Sequence, residues 1–211
     1  MPDHSTIKRA HRGRGRPLEF DRATAVRQAL DAFWRRGYQG VSVTDLAEVM
    51  SITRTSFYNS FGDRQSVFKE ALDVYRREAP DSALADIPAG VAVVPAVRQV
   101  FRNICRARIE DPEARGCLVV NTLGQMGNLE GEVDRYLERA VSNGTKVIER
   151  LLSQAVEQGE IPPIADLKAA SKSFVAFLIG LNTLSKVVRD ESQLWDLCEN
   201  FLEQYGFSES P

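Results

Sequence analysis

The stretch VSVTDLAEVMSITRTSFYNSFGDRQSVFKEAL, Val41–Leu72, limits what the chain can fold into more than any other segment. Val43, Leu46, Ala47 and Met50 fall at i, i+3, i+4 and i+7, which is one face of a short helix. Ser42 or Thr44 can cap its start, because a hydroxyl accepts a hydrogen bond from a free N–H of the first turn. Ser51 and Ile52 fit a turn, and Thr53 can cap a second helix running to about Phe61. Ile52, Phe57 and Phe61 are then available to bury against the first helix. Gly62 suits the left-handed position that ends a helix, and Asp63 can cap a third.

Left outward on the second helix are Arg54, Thr55, Ser56, Tyr58, Asn59 and Ser60. Hydroxyls, an amide and a cation are the groups that read base edges and hold phosphates. A helix-turn-helix lays its second helix in the major groove with the N-terminal residues on the bases. Periodicity alone fits that motif and an ordinary helical hairpin equally well. The segment SITRTSFYNSFGDRQSVFKEAL, with FWRRGYQGVSVTDLA (Phe33–Ala47) before it, resembles the tetracycline-repressor-like (TetR) regulators. Ile52-Thr53, Phe57-Tyr58, Phe61 and Arg64 stand at the places of the family's signature, and Thr44 begins the scaffold helix. The resemblance spans about Phe20–Leu72, with Ser51 at the usual turn glycine and Gly62 at a common proline. It implies base reading by Arg54, Thr55 and Ser56, with Thr44, Tyr58, Asn59 and Arg64 holding phosphates. It further implies a homodimer on a palindromic double-stranded DNA operator, released by a small-molecule effector.

The expected fold is all-α, a three-helix DNA-binding head on a larger helical body for ligand binding and dimerisation. The expected boundaries are an arm at 1–19, the head at 20–66 and the body at 67–211. The net charge of −2 hides an asymmetry: residues 1–64 hold 11 Lys/Arg against 7 Asp/Glu, and the remainder is acidic. A basic head on an acidic body points the head at a polyanion. In the arm, Lys8, Arg9, Arg12, Arg14 and Arg16 crowd into nine residues, and Gly15-Arg16-Pro17 resembles an AT-hook core. Arg14 and Arg16 are therefore expected to contact DNA, since a narrow A·T-rich minor groove attracts arginine. His4 and His11, the two histidines, fall in the same arm with no partner nearby.

A helix from Asp21 to about Arg36 carries Ala29, Leu30, Phe33 and Trp34 as its apolar stripe and closes the head. Ala79–Val94, with Pro80, Pro88 and Gly90, reads as a mobile loop. Beyond it, further helices are expected near 95–110, 129–159, 166–188 and 193–205. Gly144 lies on the apolar stripe of the long second of these, as a site of close packing. Asn121, Thr122 and Gln125 interrupt apolar sequence, and with Phe101, Phe174 and Phe177 they are expected to line an effector cavity. The last two helices suit a four-helix dimer interface, with Gly180 and Leu181 in it. The apolar run at 174–188 is too short and too interrupted to span a membrane.

Three cysteines, Cys105, Cys117 and Cys198, are odd in number and widely spaced, which excludes a disulfide framework and zinc-type spacing. With no apolar run behind the charged N-terminus, the chain is expected in the cytoplasm. No nucleotide fingerprint, nucleophile elbow or histidine outside the arm supports catalysis, and no cofactor or metal is expected. Two rival functions remain at this stage. One is a thiol-sensing repressor using Cys105 or Cys117; the other is a helical enzyme whose catalytic group is not visible in the sequence.

Overall fold

The computed structural model describes residues 21–127 and 131–208. Among these it is helical throughout: α1 Arg22–Arg36, α2 Val43–Val49, α3 Arg54–Phe61, α4 Arg64–Glu78, α5 Val93–Glu110, α6 Leu118–Leu123, α7 Gly131–Glu157, α8 Leu167–Leu184 and α9 Glu191–Glu203. Local sequence sets most of the helix starts. Asp21 accepts from the backbone N–H groups of Ala23 and Thr24, Thr53 from Ser56, Asp63 from Ser66, Asp166 from Ala169 and Asp190 from Gln193. Of the two candidates for α2, Ser42 is the cap, and Asp45 answers it in a capping box.

The first of two apolar clusters belongs to α1–α4. Leu46, Phe57, Phe68 and Leu72 are completely buried in it, and Phe33 meets Phe68 edge-on at 4.7 Å. Cys117 just before α6 and Leu118 at its start, with Val133 and Leu137 of α7, complete the same cluster. The head is therefore sealed onto the body by the body's own residues. The second cluster joins α5, α7, α8 and α9.

Between α4 and α5 the expected mobile loop contains a 3-10 helix, Pro80–Leu84, and is fastened to α7. Arg150 donates to the carbonyls of Leu84, Ala85 and Ile87, and Gln154 to those of Pro88 and Val91. A loop whose carbonyls are satisfied by one helix is held, not free. The start of α5 is capped from a distance too: both oxygens of Glu160 accept from the N–H groups of Val93 and Val94, at 2.8 and 2.9 Å. Gly144 also departs from expectation. Among the described residues, no atom outside its own stretch of helix lies within 4 Å of where its Cβ would be, so it opens space instead of admitting a packed neighbour.

Candidate nucleic-acid interface and internal cavity

The exposed side of the head is built by α2 and α3. Thr44, in the first turn of α2, is exposed, as are Arg54, Thr55, Tyr58 and Asn59 on α3. Phe57 and Phe61 face the opposite way, at 0% and 5% exposure, so burying this pair turns the polar residues outward. Ser56 is half-buried and already engaged: its N–H donates to Thr53 Oγ1 at 3.1 Å and the two hydroxyls lie 2.9 Å apart. Arg64 is likewise partly committed, its guanidinium 4.2 Å over the Tyr38 ring and donating to the Val41 carbonyl at 3.2 Å. Arg14 and Arg16 lie outside the described residues.

Most of the head's cations are neutralised locally. Arg27 pairs with Glu78, Arg35 with Asp31, and Arg36 with Asp45 at 2.9 Å. Arg22, which the sequence did not single out, pairs with Glu70, stacks 4.3 Å over Phe61 and donates to the Ser60 carbonyl at the end of α3. Arg54 makes no ion pair among the described residues. It stands at the N-terminus of α3, where the helix dipole adds to its attraction for phosphate and base acceptors.

Head and body meet through α1 as well as α4. Trp34 donates from its indole N–H to the Gly116 carbonyl at 3.2 Å, and Arg115 lies 4.0 Å over its ring. Arg115 also pairs with Asp31 at 3.0 Å. Gln125 belongs to this seam: a Cβ on Gly37, at φ +72°, would fall 2.9 Å from its Nε2. Gln125 Oε1 is buried without a hydrogen bond. The aromatic ring of Tyr75, on α4, rests edge-on against Trp34 at 5.0 Å.

Behind that seam lies a cavity of about 520 Å³, walled by α4, the 3-10 helix, α6, α7 and α8. Val119, Val147, Val175, Leu178 and Ile179 supply apolar wall, and Gly144 leaves it room. Exposed Asp73, Arg76, Arg77 and Asp81 stand at its rim. At the inner wall are Tyr75, Cys117 and Asn182. The tyrosine hydroxyl and the Cys117 thiol lie on this wall together, and burial pushes the pKa of both groups up, holding them neutral. Arg108 sits behind them at 5% exposure, donating from Nε to Asn182 Oδ1 at 2.6 Å and from Nη2 to the Tyr75 hydroxyl at 3.3 Å.

None of the six residues expected to line this space does so; Thr122 is buried and donates to the Leu118 carbonyl at 2.7 Å. Phe101, Phe174 and Phe177 form an aromatic core with Phe201; Phe177 and Phe201 are stacked at 4.1 Å, and Phe101 and Phe174 are 0% and 1% exposed. Asn121 donates to the Arg115 carbonyl at 2.7 Å, fixing the loop before α6, and Gln125 is in the head–body seam. A sequence signal for the charge behind the inner wall existed in α5. Val97, Phe101, Ile104 and Arg108 occupy one stripe at spacings of four, three and four, so a cation falls on the buried face.

On the outer side, Ala169, Ser173, Ala176, Gly180, Thr183 and Val187 follow one another at spacings of three and four. All but Ser173 are exposed; Val187 is 77% exposed and Leu184 beside it 44%. Leu181, expected here with Gly180, is instead 2% exposed in the body core, because it lies one position round the helix from the outer stripe. The cysteines are all buried: Cys105 Sγ lies 3.5 Å from Cys198 Sγ, and Cys117 is beside Tyr75. A neighbouring thiol and burial push Cys198 up. Among the described residues, no His, Cys, Asp and Glu cluster could hold a metal, and no helix is long and apolar enough to cross a membrane.

A small helical head that turns a polar helix outward, sealed on a hollow helical body, defines a DNA-binding regulator of the helix-turn-helix class. Residues 25–71 match the model described as bacterial regulatory proteins, tetR family, and residues 93–201 the tetracyclin repressor-like C-terminal domain. The chain belongs to the TetR family of transcriptional regulators. It is 28% identical over 184 residues to the uncharacterized HTH-type regulator YezE of Bacillus subtilis, covering 86% of this chain and 94% of YezE. It is 25% identical to the transcriptional repressor ComR of Escherichia coli, covering 81% and 82%. Among solved structures it is similar to a cysteine mutant of the TetR-family regulator CifR in complex with 26 bp operator DNA. That similarity has a TM-score of 0.77 at 28% identity, covering 90% of this chain and all of that one. Reduced NemR of Escherichia coli shares the fold at TM-score 0.77 and 13% identity.

Proposed function

We propose that this regulator is a homodimeric repressor that leaves its operator when a small molecule fills the cavity between α4 and α8. The observation that carries the reading is position. The cavity is walled on one side by α4, and its inner-wall residue Tyr75 touches Trp34 of the head. A ligand wedged there pushes on the helix that carries the head. ComR is named a repressor and the CifR structure holds operator DNA, which supports the same reading for this chain. The exposed small-residue stripe of α8, with Leu197 of α9 exposed at 40%, supports dimerisation through the last two helices. In a dimer the two copies of α3 enter major grooves about one helical turn, ~34–36 Å, apart. A few ångströms of spreading misplaces both.

Arg54 and Thr55 are the base readers in this proposal, with Thr44, Tyr58 and Asn59 on phosphates. Ser56 and Arg64 contribute after releasing part of their internal bonds. We assign no enzymatic role. The test is selection of bound sequences from random duplex DNA, followed by a metabolite screen for release. An effector must show reciprocal coupling: if it weakens operator binding five- to 150-fold (~1–3 kcal/mol), the operator must weaken effector binding equally. A ligand that occupies the cavity and leaves operator affinity unchanged refutes the switch.

A further inference from the structure

Two arginines of α5 are buried, and they are treated differently. Arg98, at 4% exposure, pairs with Glu199 at 2.7 Å and donates to the Phe207 carbonyl. Arg108, at 5%, has no carboxylate within ion-pair distance among the described residues; its bonds go to the neutral Tyr75 and Asn182. A guanidinium stays protonated at any working pH, so Arg108 is a desolvated charge without a counter-ion. Its two partners are the residues that separate it from the cavity.

Those partners are also oriented to receive an acceptor. Arg108 occupies a lone pair of the Tyr75 oxygen, so the tyrosine O–H must point elsewhere, and its neighbour on the wall is the Cys117 thiol, a weak acceptor. Asn182 turns its oxygen to Arg108 and spends one N–H on the Leu178 carbonyl at 2.7 Å, keeping a second N–H. The inner wall thus offers a hydroxyl donor, an amide donor and a positive charge behind them. The rim carries both signs in Asp73, Arg76, Arg77 and Asp81, and of these the Asp81 carboxylate acts on Tyr75 and Cys117.

We propose that the cavity takes a monoanionic carboxylic acid with an apolar body, its carboxylate received by Tyr75 and Asn182 and its charge matched by Arg108. The apolar body lies along Val119, Val147, Leu178 and Ile179. This rests on the reading of the cavity as the effector site and names the chemical class that fills it. A carboxylate is a better acceptor than a thiol, so on binding the Tyr75 O–H exchanges its place beside the Cys117 thiol for a bond to the ligand. Tyr75 is on α4 and packs on Trp34, so that exchange acts on the head–body seam directly.

The test uses full-length protein and isothermal titration with octanoate, 1-octanol and octylamine, which share a chain and differ in charge. Octanoate is expected to bind at least tenfold more tightly than 1-octanol, and octylamine more weakly than either. In Arg108→Met the preference for acid over alcohol falls to within about twofold. Because removing Arg108 disturbs a buried network, Tyr75→Phe, which keeps the ring on Trp34, carries the test independently: octanoate loses severalfold affinity and 1-octanol none. Equal or tighter binding of 1-octanol by the wild type overturns the proposal, as does full acid preference in Tyr75→Phe. Absence of binding by octanoate, dodecanoate and 4-phenylbutanoate alike overturns it too. If 1-octanol releases the operator as well as octanoate does, the acid assignment falls and the effector reading stands. If octanoate binds with the expected preference and operator affinity does not move, the acid site stands and the effector reading falls.

Discussion

Ser51 occupies a position that its side chain opposes. Its N–H bonds the Glu48 carbonyl and the Ile52 N–H bonds the Ala47 carbonyl, both at 2.9 Å, the nested pair of a Schellman motif closing α2. The motif requires a left-handed residue, and Ser51 has φ +54°. For an L-residue that conformation costs roughly 1–2 kcal/mol. Glycine removes the cost, and its greater freedom in the unfolded chain offsets about 0.5–1 kcal/mol of the gain. Ser51 is exposed and its hydroxyl makes no hydrogen bond among the described residues, so little else changes. Ser51→Gly is therefore expected to stabilise the protein by about 0.5–1 kcal/mol. For a chain of this size that raises Tm by roughly 1–4 °C. Asparagine tolerates the region and a β-branched residue does not, so Ser51→Asn should equal or exceed wild type and Ser51→Val should fall below it. Thermal unfolding followed by circular dichroism, with operator affinity measured alongside, reads all four proteins. A Ser51→Gly Tm at or below wild type, or a Ser51→Val Tm matching it, refutes the argument from backbone geometry.

Other consequences concern binding and assembly. Arg54→Ala should relax sequence preference and cost about 1–3 kcal/mol if the guanidinium grips a guanine; Tyr58→Phe should weaken all duplexes evenly, and filter binding across operator variants separates the two patterns. Deleting residues 1–16 removes Lys8, Arg9, Arg12, Arg14 and Arg16, so the log–log dependence of DNA affinity on salt should become shallower; an unchanged slope makes the arm a bystander. Gly180→Glu should dissociate the dimer in sedimentation while leaving helicity intact, whereas Leu181→Glu, which forces a charge into the core, should lower Tm first. An intact dimer for Gly180→Glu moves the interface to another face.

What the sequence revealed was local. Asp21, Thr53 and Asp63 cap helices within three residues of themselves, so their roles can be read without knowing the fold. The same holds for Phe57 and Phe61, which alternate with the outward residues of α3 on a helical period. What escaped was set by residues far apart in the chain. Glu160 caps α5 from across the body, and Arg150 holds a loop more than sixty positions away. The cavity escaped for a related reason: it is an absence of packing, and a residue such as Phe174 looks equally apolar whether it lines a void or fills one. Leu181 and Gly180 are neighbours in sequence, but a step of one residue turns the chain about 100° round a helix and puts the two on different faces. Arg108 was legible in principle, as a charge on an apolar stripe, and its neutral partners in α4 and α8 were not.

The chain has two tryptophans, and their placement makes the head–body seam optically visible. Trp34 sits in the seam beneath the Arg115 guanidinium, while Trp195 lies in the far cluster, 3.8 Å from Arg102. An indole under a cation, with its N–H bound to a carbonyl, has an emission colour set by those two neighbours. Replacing Trp195 with phenylalanine would leave Trp34 as a lone fluorophore at the joint. Any change in how the head rides on the body would then shift its spectrum without a label, in solution and on the time scale of mixing.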